Sequence, residues 1–182
     1  MDIICGVDEA GRGPLAGPVT AAAVILPQSF PFNCLADSKS LKRAEREDSA
    51  AVIKNKALAW SIGWVWPEEI DRYNIHRASL LAMKRALISL SLKPDLVYVD
   101  GKFVPQVNMA CKAVVRGDTY IPVVQAASIL AKTQRDLWME RFSRIEPHYL
   151  FEKHKGYPTK EHRERLKIYG ISCIHRKSFK LV

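Results

Sequence analysis

Hydrophobic and polar positions along the chain follow two periods, and each change of period marks an element. Ile3 to Asp8 is a short apolar run that reads as a strand. Gly11 to Pro18 interleaves glycines with prolines and cannot be helix interior. Thr20 to Leu26 resumes as an apolar run of strand length, its alanines pointing to close packing. "DSKSLKRAEREDSAAVIKNKAL" predicts a helix from near Ser40 or Leu41, with mixed charges on its wet side. "AWSIGWVW", aromatic and β-branched and stopped by Pro67, is a strand. From Pro67 a long amphipathic helix runs toward Pro94. "DLVYVDG" is nearly continuous in its apolar character, as a buried central strand would be, and "MACKAVVRGD" is a further short strand or extended segment ending in Asp118. From Ala126 to about Ile145 the helical period returns. Leu130, Leu137, Trp138 and Phe142 form its apolar stripe, with Arg135 and Asp136 on its polar side. A last short helix is predicted from Lys160 to Tyr169.

This order defines an α/β chain with a mixed sheet flanked by helices, because the first two strands are joined tightly only if antiparallel. Strand order does not follow from the pattern. With 182 residues, 48% of them apolar, the chain can bury one well-packed core. A single domain over residues 1–182 is therefore expected, with roughly 146–182 a basic, mainly helical C-terminal extension packed on it.

Charge sharpens the reading. The formal net charge is +9, and six of those nine excess positive charges fall between Phe151 and Lys180. A basic excess of this kind suits a polyanionic partner. The apolar runs are too short or too interrupted to span a bilayer, so no membrane association is expected. No targeting segment is visible, which makes a cytoplasmic location the default. Cys5, Cys34, Cys111 and Cys173 are scattered without paired spacing, arguing against a zinc site or a disulfide framework. Nothing calls for an obligate assembly, so a monomer is expected.

Three segments, "CGVDE", "VYVDG" and "VVRGD", close an apolar run with an acid: Asp8 and Glu9, Asp100, and Asp118. Acids at strand ends face the rim of the sheet, where α/β proteins place ligands. Gathered there, such charges raise one another's pKa values unless a hard divalent cation holds them together. Mg²⁺ and Mn²⁺ both accept oxygen ligands, and two ions at one site is the arrangement used for in-line displacement at phosphorus. An Asp before Gly is also an ordinary turn signal, so on pattern alone Asp100 and Asp118 stay open between the two readings. The adjacent Asp8 and Glu9 are harder to explain as a turn.

The loop "GRGPLAG" superficially resembles a dinucleotide fingerprint, but Pro14 and the spacing break it, and the Walker ending is absent. Its glycines can expose backbone groups to a sugar hydroxyl, and Arg12 can meet a phosphate. Lys39 in "DSKSL" reads as a solvated lysine at a helix start, with a phosphate clamp as the alternative. Tyr157 in "HKGYPT" either stacks on a base or sugar or covers the core edge.

The stretches "GVDEAGRGPLAGPV", "DSKSL", "NIHRASLLAMKRAL", "VYVDG", "AVVRGD", "AASILAKTQRD", "HKGYPTKEH" and "HRKSF" together resemble the bacterial ribonuclease HII, or type 2 RNase H, family. They occur in that family's order and cover almost the whole chain. The resemblance implies an RNase H-like fold with a small helical C-terminal part. It implies an endonuclease that cuts the RNA strand of RNA/DNA hybrids and nicks 5′ of a single ribonucleotide in duplex DNA, leaving 3′-OH and 5′-phosphate ends. Asp8, Glu9, Asp100 and Asp118 match the metal-binding carboxylates, and a Mg²⁺ or Mn²⁺ pair is the implied cofactor. Gly11, Arg12 and Gly13 match the segment that senses the 2′-OH. Tyr157 matches a residue that packs on the neighbouring deoxyribose, Lys39 a phosphate contact, and the Ser128 region the helix that braces the site. Thr133 departs from the family, which usually has Val there. Two rivals remain on the sequence: a noncatalytic nucleic-acid-binding module, and a metal-dependent DNA nuclease of the same broad fold.

Overall fold

The computed structural model describes residues 2–35 and 41–181. Five strands form one sheet: β1 (Ile4–Ala10), β2 (Val19–Ile25), β3 (Ala59–Val65), β4 (Leu96–Asp100) and β5 (Cys111–Val114), in the order β3-β2-β1-β4-β5. The first three strands are antiparallel neighbours, while β4 joins β1, and β5 joins β4, in parallel. The sheet is mixed, as expected. β1 lies at its centre, and β1 and β4 run side by side toward the same rim.

Helices cover both faces. On one, α2 (Pro67–Ile88) lays Ile70, Ala78, Ala82, Met83, Ala86 and Leu87 on Cys5, Val7, Val97 and Val99. On the other, α1 (Arg43–Lys56) and α4 (Pro122–Ser143) pack Ala50, Ile53, Ala126, Ala127, Ile129 and Leu130 against Ala22 and Val24. Helix α1 begins at Arg43, slightly later than the pattern places it, because the Glu45 carboxylate accepts the Lys42 N–H at 2.8 Å and closes the first turn there.

Two elements differ from the pattern. Helix α2 is broken at Asn74, whose backbone sits at φ 65°, ψ 163°. The Asn74 Oδ1 accepts the Arg77 N–H at 3.1 Å, so this residue caps a second helical segment inside one amphipathic stretch. Asp118 does not end a strand. β5 stops at Val114, Arg116 takes the left-handed conformation at φ 60°, and Asp118 lies in the one-turn helix α3 (Gly117–Tyr120).

The C-terminal part contains the short α5 (Phe151–His154) and α6 (Lys160–Tyr169), the latter with the bounds expected. It is stitched to the Gly11–Pro18 loop by Leu15 N–H to Gly156 O, Gly17 N–H to Ile174 O and Arg176 N–H to Leu15 O, each at 2.8 Å. Ala16, Met139, Tyr149, Phe151 and Ile174 form a third core cluster at this seam.

Candidate active site

Register builds the site. Val7 pairs with Val99 across the parallel β1–β4 ladder, which sets Asp8 beside Asp100 at the carboxyl ends of two neighbouring strands. Asp118 arrives from α3, its N–H donating to Asp100 Oδ1 at 3.4 Å. One carboxylate oxygen from each of Asp8, Asp100 and Asp118 lies within 4.8 Å of the others. Asp8 and Asp118 are each only 5% exposed. Ser128, on the facing turn of α4, donates its hydroxyl to Asp8. Gly6 makes that approach possible, since a Cβ there would stand 2.1 Å from the Val123 carbonyl carbon at the start of α4.

Alternation along β1 sends Glu9 the other way. It lies outside the three-acid triangle, in a small cavity shared with His76, Ser79 and Met83 of α2, and its Oε1 meets Arg12 Nη1 at 3.3 Å. The Arg12 guanidinium offsets part of the repulsion expected of two adjacent acids, although Asp8, Glu9 and Asp100 still line one cavity. Burial, then Glu9 and Asp100, raises the Asp8 carboxyl well above its usual range, against the Ser128 hydrogen bond. Burial also raises Glu9, with Arg12 pulling it back down.

Asp8, Glu9, Gly11, Arg12, Gly13, Asp100, Ser128, Lys132 and Tyr157 line one cavity of about 270 Å³. Of the residues singled out in the sequence, this groups all but two. Asp118 adjoins it through Asp100, and Lys39 lies outside the described residues. Tyr157 carries the Lys132 ammonium 5.3 Å from its ring centroid. Its carbonyl ends a relay of neutral rings. The Ser172 N–H donates to His175 Nδ1 at 2.8 Å, which assigns His175 Nε2–H as donor to His162 Nε2 at 3.0 Å. His162 Nδ1–H then donates to Tyr157 O at 2.9 Å.

Lys132 and two arginines escaped the sequence reading. Lys132 follows Ser128 by one helical turn, and that spacing was the available signal. Arg135 was expected on polar ground. It is instead fully buried, bonded to backbone carbonyls near the start and end of the chain. Arg176 is buried likewise, so one charge of the basic C-terminal excess never reaches the surface. Lys153, Lys160, Lys167, Lys177 and Lys180 do.

The donor set is three clustered carboxylates, all hard oxygen ligands, with two of the side chains almost wholly removed from water. Such a cluster fits a divalent cation, whose charge offsets the repulsion that burial magnifies. Together the mixed sheet and the buried acids at its rim fit the class of metal-dependent hydrolases that act at phosphorus.

Comparison with known proteins narrows this class. A family profile described as Ribonuclease HII matches residues 5–182. The Ribonuclease HII of Nitrosospira multiformis is 52% identical over 176 residues, 97% of this chain and 88% of that one. Ribonuclease H2 from Pyrococcus horikoshii superposes with a TM-score of 0.83 at 26% identity, covering 98% of this chain and 94% of the other. The RNase HII of a PCNA:RNase HII complex from Archaeoglobus fulgidus superposes with a TM-score of 0.83 at 27% identity, covering 99% and 96%. The chain belongs to the ribonuclease HII family, and is a metal-dependent endoribonuclease.

Proposed function

We propose that Asp8, Asp100 and Asp118, with Glu9 at the edge of their cluster, hold two Mg²⁺ or Mn²⁺ ions against a scissile phosphate. The substrate is the RNA strand of an RNA/DNA hybrid or a single ribonucleotide in duplex DNA, nicked on its 5′ side. The observation that carries this reading is the convergence of three carboxylates from β1, β4 and α3 within 4.8 Å. Bound between these carboxylates, divalent ions would supply Lewis acidity for activating water and for stabilising charge on the departing 3′ oxygen.

The chain's own groups do the rest. Ser128 holds Asp8 in place by its hydroxyl hydrogen bond. Arg12, more than half exposed, is free to turn from Glu9 toward a non-bridging phosphate oxygen. Gly11 to Gly13 bring backbone within reach of a ribose, and a 2′-OH is what distinguishes RNA from DNA there. The Tyr157 ring, 38% exposed at the cavity wall, offers a flat apolar face to the adjoining deoxyribose. Lys39 is assigned to a phosphate on its family position alone. The exposed lysines of the C-terminal part supply duplex affinity that carries no sequence information.

The test is cleavage of a DNA duplex carrying one ribonucleotide, with and without chelator, beside an all-DNA control. A nick 5′ of the ribonucleotide that chelator abolishes is the expected result. Cleavage of the all-DNA duplex points instead to a general DNA nuclease, and binding without cleavage to a noncatalytic module. In the same assay Asp8→Asn is expected to lower the rate at least ~100-fold, while gel-shift affinity for the duplex stays near wild type. Parallel loss of binding and cleavage contradicts the assignment.

A further inference from the structure

Two buried guanidiniums grip the loop beside the acids from beneath. Arg176 donates to Gly17 O at 2.9 Å, Arg12 O at 3.0 Å, Pro14 O at 2.8 Å and Gly11 O at 2.6 Å. Arg135 donates to Pro18 O at 2.9 Å, Ala16 O at 3.1 Å and Lys155 O at 3.1 Å. Neither side chain has any exposed surface. Every one of these acceptors is a backbone carbonyl. Among the described residues, no carboxylate lies within 4.0 Å of either cation. Burial lowers their pKa values, to about 10 for Arg135 and about 9 for Arg176, the latter also through Arg135, so both remain charged at neutral pH.

Asp136 and Asp71 favour the charged forms only from beyond contact distance, and a buried charge with no carboxylate in contact is costly, two close together more so. Structural anchoring of a loop does not require it, since neutral donors hold carbonyls without that cost. What the pair does that a neutral anchor would not is give the loop a sign. The Leu15 carbonyl accepts the Arg176 N–H. From Gly11 to Pro18, therefore, every carbonyl except that of Gly13 has a donor turned to it. The N–H groups of Arg12 and Gly13, the two exposed residues of the loop, take no partner among the described residues. Gly11 is matched to this packing: at φ 95° a Cβ would lie 2.1 Å from Arg135 Nε.

We propose that Arg135 and Arg176 are positioning residues that polarise the loop. They draw its carbonyls inward and leave its cleft side with N–H donors in the field of two cations that no carboxylate contacts, so that it selects an acceptor oxygen of the substrate. This deepens the ribonuclease reading and rests on it. Phosphate and ribose oxygens share that chemistry, and the two are separable.

The experiment compares wild type with Arg176→Gln and Arg135→Gln, each of which keeps side-chain N–H donors for the loop carbonyls but removes the charge. Affinity is measured without divalent metal for a one-ribonucleotide duplex and its all-DNA counterpart across a salt series, on protein shown by thermal melting to be folded. Wild-type cleavage of the one-ribonucleotide duplex, run in parallel, tests the underlying ribonuclease reading separately. If the loop reads the ribose oxygen, either variant reduces the preference for the ribonucleotide duplex, and its kcat/KM there falls roughly 10- to 100-fold. If it reads a phosphate oxygen, the preference holds but the slope of log affinity against log salt falls by about one. Folded variants with wild-type preference and wild-type salt slope, tested beside an active wild type, overturn the proposal. Should one glutamine variant fail to fold, the other decides, because each arginine holds a different part of the loop.

Discussion

Thr133 carries a hydroxyl into the packed interface between α4 and its neighbours, where the residue is 5% exposed and its Oγ1 has no hydrogen-bond partner among the described residues. A buried hydroxyl that has given up water and gained nothing destabilises the fold. Val has nearly the same shape without the oxygen, so Thr133→Val is expected to stabilise the protein by about 1 kcal/mol. Chemical denaturation measures this, with cleavage unchanged because Thr133 touches no acid of the site. Residue type misled most where a charge was buried. Arg135 beside Asp136 in a helix looks like a solvated face, and only Ala16 and Pro18, more than a hundred positions away, make it interior. Asp8 was the opposite case: an acid closing an apolar run carries its own signal, because nothing but a ligand or a turn accounts for it.

At the scale of elements, strands and helices were legible because each buries a face, and burial imposes its period on the sequence. All five strands emerge as short apolar or β-branched runs, and the helix at Lys160–Tyr169 is found with its expected bounds. The break at Asn74 does not, since both halves of α2 bury the same stripe and the pattern runs through uninterrupted. The sequence places Asp118 at a strand end because a one-turn helix is too short to show any period. The contact that aligns β1 with α4 depends on Gly6. A methyl group there meets Val123 backbone rather than a side chain able to move, so Gly6→Ala is expected to cost at least ~3 kcal/mol. A fall in melting temperature accompanied by weakened cleavage in the surviving folded fraction is the outcome that supports this, since the displaced α4 carries Ser128 away from Asp8. An unchanged melting curve contradicts it.

For the whole molecule, the seam between the loop and the C-terminal part makes stability depend on pH. Burial lowers His162 and His175 from 6.5 to about 4, with the neighbouring imidazoles adding to the shift. Above about pH 6.5 both rings are neutral whether the chain is folded or not. Below it the unfolded chain takes up protons that the folded seam refuses, so stability falls from about pH 6.5 to about 4 and then levels. Asp8 and Glu9, raised by burial, act in the opposite sense over the acid range. The difference between wild type and His175→Gln therefore isolates the seam. The variant's melting temperature is expected to depend less on pH in that window, and an identical pH profile refutes the assignment.

What the sequence determined by itself was local: which segments bury a face, which apolar runs end in an acid, and which motifs place the chain in its family. Those properties reside in residue type and spacing, which the chain carries before it folds. The tertiary structure alone decided which acids meet. Asp8 neighbours Asp100 because β1 and β4, ninety residues apart, pair in parallel, and Glu9 stands outside the three-acid group at the cavity edge because strand geometry reverses successive side chains. It also decided that two arginines of a basic chain lie inside, since burial depends on which distant carbonyls pack against a side chain, and no periodicity encodes that.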